Sequence, residues 1–318
     1  MTNEFDVVIV GAGPAGLAAG LYAARDRYRT CLLDKFMPGG QILVSERIEN
    51  YPGWEFISGP DLITHMVKQV EQFGASLVNS AEVTALKRRD DGQIELEVNG
   101  SDKTYSARVV ILAPGSGYRN LGVPGEEKFT GSGVSYCGTC DAPFFRDKHV
   151  VSVGGGNSAI EETLHLGKFC SKVTMLHRRD EFRATRILVD ELYKKKDDHH
   201  IELRLSHVLE AIEGDQKVQR ALLKNLKTGE SFVLDCEGVF IFAGMVPGTK
   251  FLEGFVELGA GGFISCDPAT LRTKVPGVFV AGDCRVGAPM QLVTACADGV
   301  TCALMMKHYL RDPAWWNA

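Results

Sequence analysis

A duplicated glycine-rich loop constrains the fold of this chain more than any other feature. Val7-Val8-Ile9-Val10 is a short apolar, β-branched run, followed by Gly11-Ala12-Gly13-Pro14-Ala15-Gly16 and a helix-compatible stretch from Leu17 to Arg25. Cys31-Leu32-Leu33 then reads as a second strand ending at Asp34, with Lys35 next to it. The same order returns at an offset of 143 residues (154 − 11). Val150-Val151-Ser152-Val153 leads into Gly154-Gly155-Gly156-Asn157-Ser158-Ala159, a helical stretch from Ile160 to Gly167, and a strand Val173-Thr174-Met175-Leu176 ending at His177. A single GxGxxG is a weak signal. Two of them, each between an apolar strand and a helix and each followed by a second strand, define two dinucleotide-binding units. The first glycine permits the turn, the second admits a pyrophosphate to the backbone amides, and the third lets helix and strand pack closely. The pyrophosphate then sits at the positive end of the helix.

The residues at the two strand ends distinguish the ligands. Asp34 offers a carboxylate to a ribose diol, which fits an unmodified adenosine ribose. The matching place in the second unit holds His177, followed by Arg178 and Arg179, with Arg183 one helical turn on. A carboxylate there would repel a 2′-phosphate, whereas guanidinium groups pair with it bidentately. A solvated basic helix start is the plainer alternative, since Asp180 and Glu181 follow directly. The expectation is FAD or NAD in the first unit and NADP in the second.

After the second unit the chain turns back towards the first. Gly238-Val239-Phe240-Ile241-Phe242-Ala243 is a buried-strand run ending in Gly244 and Pro247-Gly248, and Val278-Phe279-Val280-Ala281 is another, ending in Gly282-Asp283. The expected fold is α/β, with two Rossmann-like three-layer domains, the second inserted into the first. Residues 1–115 and 248–318 form the discontinuous first domain, and 116–247 the insert. The 318 residues are enough for two such cores. A formal net charge of −5 at pH 7 gives no basic field for nucleic acid or an anionic membrane surface. No apolar stretch approaches the roughly 18 residues of a membrane helix. The start, Met-Thr-Asn-Glu-Phe-Asp, lacks the basic segment of a signal peptide, so a cytoplasmic location is expected.

Nine cysteines are an odd number, and seven are scattered singly among apolar or mixed surroundings, unlike a disulfide framework. Cys31, Cys170, Cys236, Cys266, Cys284, Cys296 and Cys302 read as small buried hydrophobes. Cys137-Gly138-Thr139-Cys140 is different: a CxxC at a helix start lowers the thiolate pKa and makes an exchangeable disulfide. Half of a zinc site and a merely structural pair are the alternatives; no second CxxC or His pair stands at ligand spacing, so no metal is expected. Asp141 follows directly. It could carry a proton to and from sulfur or serve as a first-turn helix carboxylate.

The series GAGPAG, GGQI followed by ENYPG, AxG, CxxCD, GGGxSAxEE, HRRxxFRA and GD…Q resembles the low-molecular-weight thioredoxin reductases over nearly the whole chain. The resemblance implies a homodimeric flavoprotein whose FAD and NADPH domains are joined by two short strands. It places Gly11, Gly13, Pro14, Ala15, Gly16, Asp34 and Lys35 at the FAD pyrophosphate and ribose. Gly40, Gln41, Asn50, Ala113 and Gly115 would lie near the flavin, and Gly282, Asp283, Met290 and Gln291 near its ribityl chain and ring. Gly154, Gly156, Asn157, Ser158, Ala159 and Glu162, with His177, Arg178, Arg179 and Arg183, match the NADPH motifs. The implied relay runs from NADPH through FAD to the Cys137–Cys140 disulfide and on to a thioredoxin-like protein. Cys140 would face the flavin, Cys137 would attack the partner, and Asp141 would be the acid/base. Disulfide and NADPH share one domain, so that domain must rotate, and the hinge is expected near Gly115 and Gly248.

Several positions depart from the family pattern. Asp34 replaces a glutamate, Ala142-Pro143 a Gly-aromatic pair, Ala113-Pro114-Gly115 an Ala-Thr-Gly, and Met290 an arginine. The end, Asp312-Pro313-Ala314-Trp315-Trp316-Asn317-Ala318, extends beyond the usual last helix, as in some deeply branching relatives. That helix should stop near Leu310 and the tail leave as an extended segment. Two indoles on a free end are an apolar liability and should dock. They would pack on a neighbouring surface or dimer interface, or stack on the isoalloxazine, where Met290 leaves room. Competing readings are a disulfide reductase fed by another donor such as reduced ferredoxin, a ferredoxin–NADP reductase, and a non-enzymatic redox sensor. The intact CxxCD argues against the second.

Overall fold

The computed structural model describes residues 2–45, 47–99 and 104–317. In chain order the first stretch runs β1 (Thr2–Val10), α1 (Pro14–Arg25), β2 (Thr30–Leu33), α2 (Gly59–Gln72), β3 (Ser76–Val78), β4 (Val83–Arg88), β5 (Ile94–Val98) and β6 (Thr104–Leu112). Next come β7 (Ser116–Tyr118), β8 (Val134–Ser135), α3 (Gly138–Asp141), β9 (His149–Gly154), α4 (Asn157–Leu166), β10 (Lys172–His177), α5 (Arg186–Lys195) and β11 (Ile201–Leu205). β12 (His207–Gly214), β13 (Val218–Asn225), β14 (Ser231–Asp235), β15 (Gly238–Phe242), β16 (Met245–Pro247), β17 (Val278–Val280) and α6 (Leu292–Arg311) complete the chain. It divides into two compact units, Met1–Gly117 with Val246–Ala318, and Tyr118–Met245. The two crossings, β7 and β16, pair with each other.

In the first unit the strand order is β3-β2-β1-β6-β5-β4, with β17 on the far half of β6. β1 pairs parallel with β2 and β6, whereas β4 and β5 run antiparallel. Val7 to Val10 are all buried, the mark of a strand covered on both faces. Val7 and Ile9 feed a core with α1, α2 and α6, while Val8 and Val10 feed one closed by β4, β5 and Leu252, Val256 and Ile264. The loop after β1 needs glycine at its end: a Cβ on Gly16 would lie 1.9 Å from the carbonyl oxygen of Gly11.

The second unit repeats the pattern with an all-parallel sheet, β11-β10-β9-β15-β8. One face packs on α4 and α5 through Val150, Ile160, Leu164 and Leu192. The other meets the antiparallel β12-β13-β14 layer through Val151, Leu176, Leu223 and Val239. β15 corrects one expectation. Read from sequence as the turn back towards the first domain, it is an inner strand of the second sheet, with Val239 and Ile241 in one core and Phe240 in the other. The return comes after it, at β16.

The tail also departs from expectation. Pro313 does end α6, but the chain re-coils into a 3₁₀ turn, Pro313–Asn317, instead of leaving extended. Proline suits a first helical position, and Asp312 accepts from the Ala314 amide at 3.0 Å. Trp316 inserts edge-on between Phe279 and Tyr309 at 4.9 and 5.1 Å and is 7% exposed. Trp315 stacks on His308 at 5.3 Å, and Arg272 donates to the carbonyls of both tryptophans. Both indoles are therefore engaged by their own unit's core, in place of the extended tail expected to carry them to an isoalloxazine face. Ala318 lies outside the described residues. Among the described residues no helix is long and apolar enough to cross a membrane.

Candidate redox and dinucleotide sites

The turn carrying the cysteines is built by β8 and α3. Cys137 is the N-cap of α3, is bonded to Cys140, and its sulfur accepts from the Cys140 amide at 3.2 Å. Ser135, at the end of β8, accepts from the Cys137 amide at 3.1 Å and donates to Asp141 Oδ2 at 2.6 Å. Burial pushes the Asp141 carboxyl above its usual range, and the Ser135 hydrogen bond partly offsets this. A half-buried acid beside a disulfide is equipped to hold and deliver a proton.

The other seven cysteines are free. Cys31, Cys170, Cys236, Cys284, Cys296 and Cys302 are buried and Cys266 is half-buried. Burial raises all seven thiols, to about 12 for Cys31, Cys236 and Cys284 and to about 11 for Cys170 and Cys296. Thiolate chemistry is thereby confined to the CxxC pair. Among the described residues no cluster of His, Cys, Asp and Glu could hold a metal ion.

In the first unit Gly13 caps α1, Pro14 opens it, and no side chain caps the helix. The space where a Cβ of Gly13 would point is open to at least 4 Å, so the first-turn amides near Ala15 and Gly16 can receive an anion. Gly11 is held against Ala113, whose amide bonds the Val10 carbonyl. Asp34 is engaged by backbone: Oδ2 accepts from the Ala12 amide at 2.7 Å and Oδ1 from the Phe36 amide at 2.9 Å. Lys35 leans over its neighbour Phe36. Gly40 and Gln41 open a 3₁₀ turn, and Gln41 Nε2 donates to the Ser116 carbonyl, next to Gly115. Asn50 Nδ2 meets Gln291 Oε1 at 3.4 Å, and Gln291, after the left-handed Met290, caps α6 in a reciprocal pair with Thr294.

Asp298, Arg285 and, third, Ser116 escaped the sequence reading here. Asp298 of α6 accepts from Arg285 Nε at 2.6 Å and Nη2 at 3.0 Å, and from the Gly282 amide at 2.9 Å. Burial, with Asp298 adding to it, raises Asp283 to about 6, against the opposing pull of Arg285. The available signal was a lone acid in the apolar run Ala297-Asp298-Gly299. The third group is Ser116, whose hydroxyl is buried and has no hydrogen-bond partner among the described residues.

In the second unit Gly156 caps α4 without a side-chain cap, again facing open space, and Ser158 lies exposed on the first turn. Ala159 replaces the third glycine because its Cβ fills the room left by Gly154. Asn157 Oδ1 accepts from the Thr185 amide at 2.9 Å, and the Arg183 amide bonds the Gly155 carbonyl. Arg178, Arg179 and Arg183 are exposed around this loop.

Two candidates turn elsewhere. His177 is 5% exposed, its ring under Gly155 and stacked on Phe182, with Nε2 at 3.0 Å from the Glu181 carbonyl. Burial, reinforced by Arg183 and Arg179, lowers its pKa. The enclosed imidazole supports the loop from beneath, and its burial disfavours the charged form. Glu162 points at the redox turn, accepting from the Thr139 amide at 2.8 Å.

Residues 5–299 match the family described as pyridine nucleotide-disulphide oxidoreductase. A thioredoxin reductase of Treponema pallidum is 43% identical over 311 residues, covering 98% of each chain. The solved thioredoxin reductase of Streptococcus pyogenes superposes with a TM-score of 0.90 at 38% identity, over 97% of this chain and 98% of its own. That of Giardia duodenalis gives 0.90 at 34%, over 97% and 99%. With its two glycine loops and one CxxCD turn, the chain belongs to the low-molecular-weight thioredoxin reductase family of pyridine nucleotide-disulphide oxidoreductases.

Proposed function

We propose that this chain is a thioredoxin-disulfide reductase that takes electrons from NADPH through FAD to Cys137–Cys140 and passes them to a thioredoxin-like protein. The observation that carries the reading is the redox turn itself: one exchangeable disulfide with a half-buried acid one residue on, in a unit that also holds a dinucleotide loop. FAD, when bound, supplies two-electron transfer between the nicotinamide and the disulfide.

The residues fit that group. The uncapped start of α1 and the open space over Gly13 suit its pyrophosphate. Asp34 retains lone pairs for a ribose hydroxyl beside its two backbone bonds. The unpartnered Ser116 hydroxyl, close to Gln41, supplies a polar atom for the ring system. At the second loop Gly156 and Ser158 take the NADPH pyrophosphate, while Arg178, Arg179 and Arg183 take the 2′-phosphate. Asp141 protonates the sulfur that leaves when the disulfide opens, and Cys137 attacks the partner's disulfide. The unit carrying both CxxC and the nucleotide loop turns about β7 and β16 between half-reactions. A cytoplasmic homodimer completes the proposal.

The test is anaerobic titration of the purified flavoprotein with NADPH, NADH and a photoreductant, followed by oxidised thioredoxin. Bleaching by NADPH and recovery on adding thioredoxin support the relay. Cys137→Ser and Cys140→Ser must each abolish thioredoxin turnover while FAD stays bound. Turnover at the wild-type rate in either variant would falsify the relay.

A further inference from the structure

α4 starts at the second glycine loop, and its sixth residue, Glu162, reaches the redox turn. Glu162 Oε2 accepts from the Thr139 amide at 2.8 Å, and Oε1 from the Thr139 hydroxyl at 3.2 Å. The approach is close enough that a Cβ on Gly138 would lie 2.4 Å from Glu162 Oε2, which accounts for glycine between the cysteine and the threonine.

The first turn of α3 has few free amides, and two side chains already draw on them. Cys137 Sγ accepts from Cys140 and Glu162 accepts from Thr139. While the disulfide is closed the sulfur is neutral and the two acceptors coexist. Reduction adds two electrons and two protons, breaks the S–S bond and leaves two thiols. Loss of one proton then makes a Cys137 thiolate in the turn whose Thr139 amide the Glu162 carboxylate holds, one residue from the Cys140 amide on which that sulfur draws.

We propose that Glu162 is a positioning residue that holds the Thr139 backbone and, through its charge, opposes ionisation of Cys137, keeping the reduced pair a strong reductant. A dithiol whose thiolate is well stabilised is a poor electron donor. A CxxC at a helix start tends towards that state, and Glu162 counters it. The inference rests on the relay proposed above, in which Cys137 is the sulfur that meets the partner. Other charged groups around the turn are Asp141, bonded to Ser135, Glu161 and His165 on α4, Lys168 beyond it, and the Glu191–Lys195 pair of α5.

The decisive variant is Glu162→Gln, which keeps an acceptor for the Thr139 amide and removes the charge. The holoprotein is equilibrated anaerobically with mixtures of reduced and oxidised glutathione, and the dithiol fraction is trapped by alkylation. The balanced reaction is protein disulfide plus two glutathione thiols giving protein dithiol plus glutathione disulfide. E162Q is expected to move this equilibrium about tenfold towards the dithiol, about 30 mV for a two-electron couple. Alkylation of Cys137 at neutral pH should accelerate in parallel. Glu162→Ala should shift in the same direction, and Glu161→Gln should not shift. An unchanged equilibrium in E162Q overturns the proposal, as does a shift in Glu162→Ala alone, which would mark a purely structural cap. An equal shift in Glu161→Gln overturns it too, because a general field would then be the cause. Glutathione replaces the partner protein here, so failure of wild-type protein to reduce thioredoxin would count against the proposed function and not this inference.

Discussion

Asp141 shows what a working acid costs its host. Its folded pKa is raised by burial, so its contribution to stability is fully present below the ordinary carboxylate pKa of 3.8 and is lost as the pH rises through the folded value. Ionisation of this side chain in its folded surroundings is therefore a net burden. Asp141→Asn keeps an acceptor for Ser135 and sheds the charge. Calorimetry should show a higher unfolding midpoint than wild type at pH 7 and little difference at pH 4, together with slowed turnover. A midpoint at pH 7 no higher than wild type would contradict this account. Replacing Arg178 and Arg179 by alanine should raise the KM for NADPH far more than that for NADH, at about 1.5–3 kcal/mol per lost guanidinium–phosphate contact. Steady-state kinetics with both nucleotides decides it, and an unchanged preference would remove the 2′-phosphate from this loop. The Cys137–Cys140 pair was legible because four consecutive residues encode it. The side chains of His177 and Glu162 point away from where the motif puts them, for a physical reason. A motif fixes where a residue falls along the chain, but the direction of its side chain depends on what packs beside it: Phe182 and Gly155 for one, Thr139 for the other.

Among the elements, α6 does work that no motif announces. A Cβ on Gly299 would lie 2.1 Å from the Ala15 carbonyl of α1, so the two helices touch through backbone. One residue earlier, Asp298 ties down Gly282 and Arg285. α6 thus sets the register of the first glycine loop and of the Gly282-Asp283 turn together. Gly299→Ala should cost about 1–3 kcal/mol in urea unfolding by overpacking and weaken FAD reconstitution of the apoprotein. Asp298→Ala should cost more, about 3–5 kcal/mol, because it leaves a largely enclosed guanidinium without its carboxylate. Equal losses in the two variants would mean that the ion pair adds nothing beyond packing. Strands β1 and β9 were readable from β-branched runs alone. The tail was not: Pro313 reports that a helix ends, while the pocket of Phe279, Tyr309 and Arg272 that recaptures the chain is assembled from distant sequence.

For the whole molecule, the 143-residue repeat made the nested arrangement visible, since the first sheet is completed by β17 only after the second unit has been built. Gly115 and Gly244 flank the two crossings with φ of +69° and +104°, where branched side chains are strained. If the crossings are the hinge, Gly244→Val should lower kcat for thioredoxin reduction while leaving both KM values near wild type. A matching rise in either KM would instead indicate local damage to a binding site. The distribution of sulfur has a practical corollary. A maleimide dye or peroxide meets a molecule with nine sulfhydryl positions of which two answer while it stays folded. Native labelling is then an electron meter, reading two dyes per reduced chain and none per oxidised one. A third dye reports that the fold has opened, with half-buried Cys266 the first to register it.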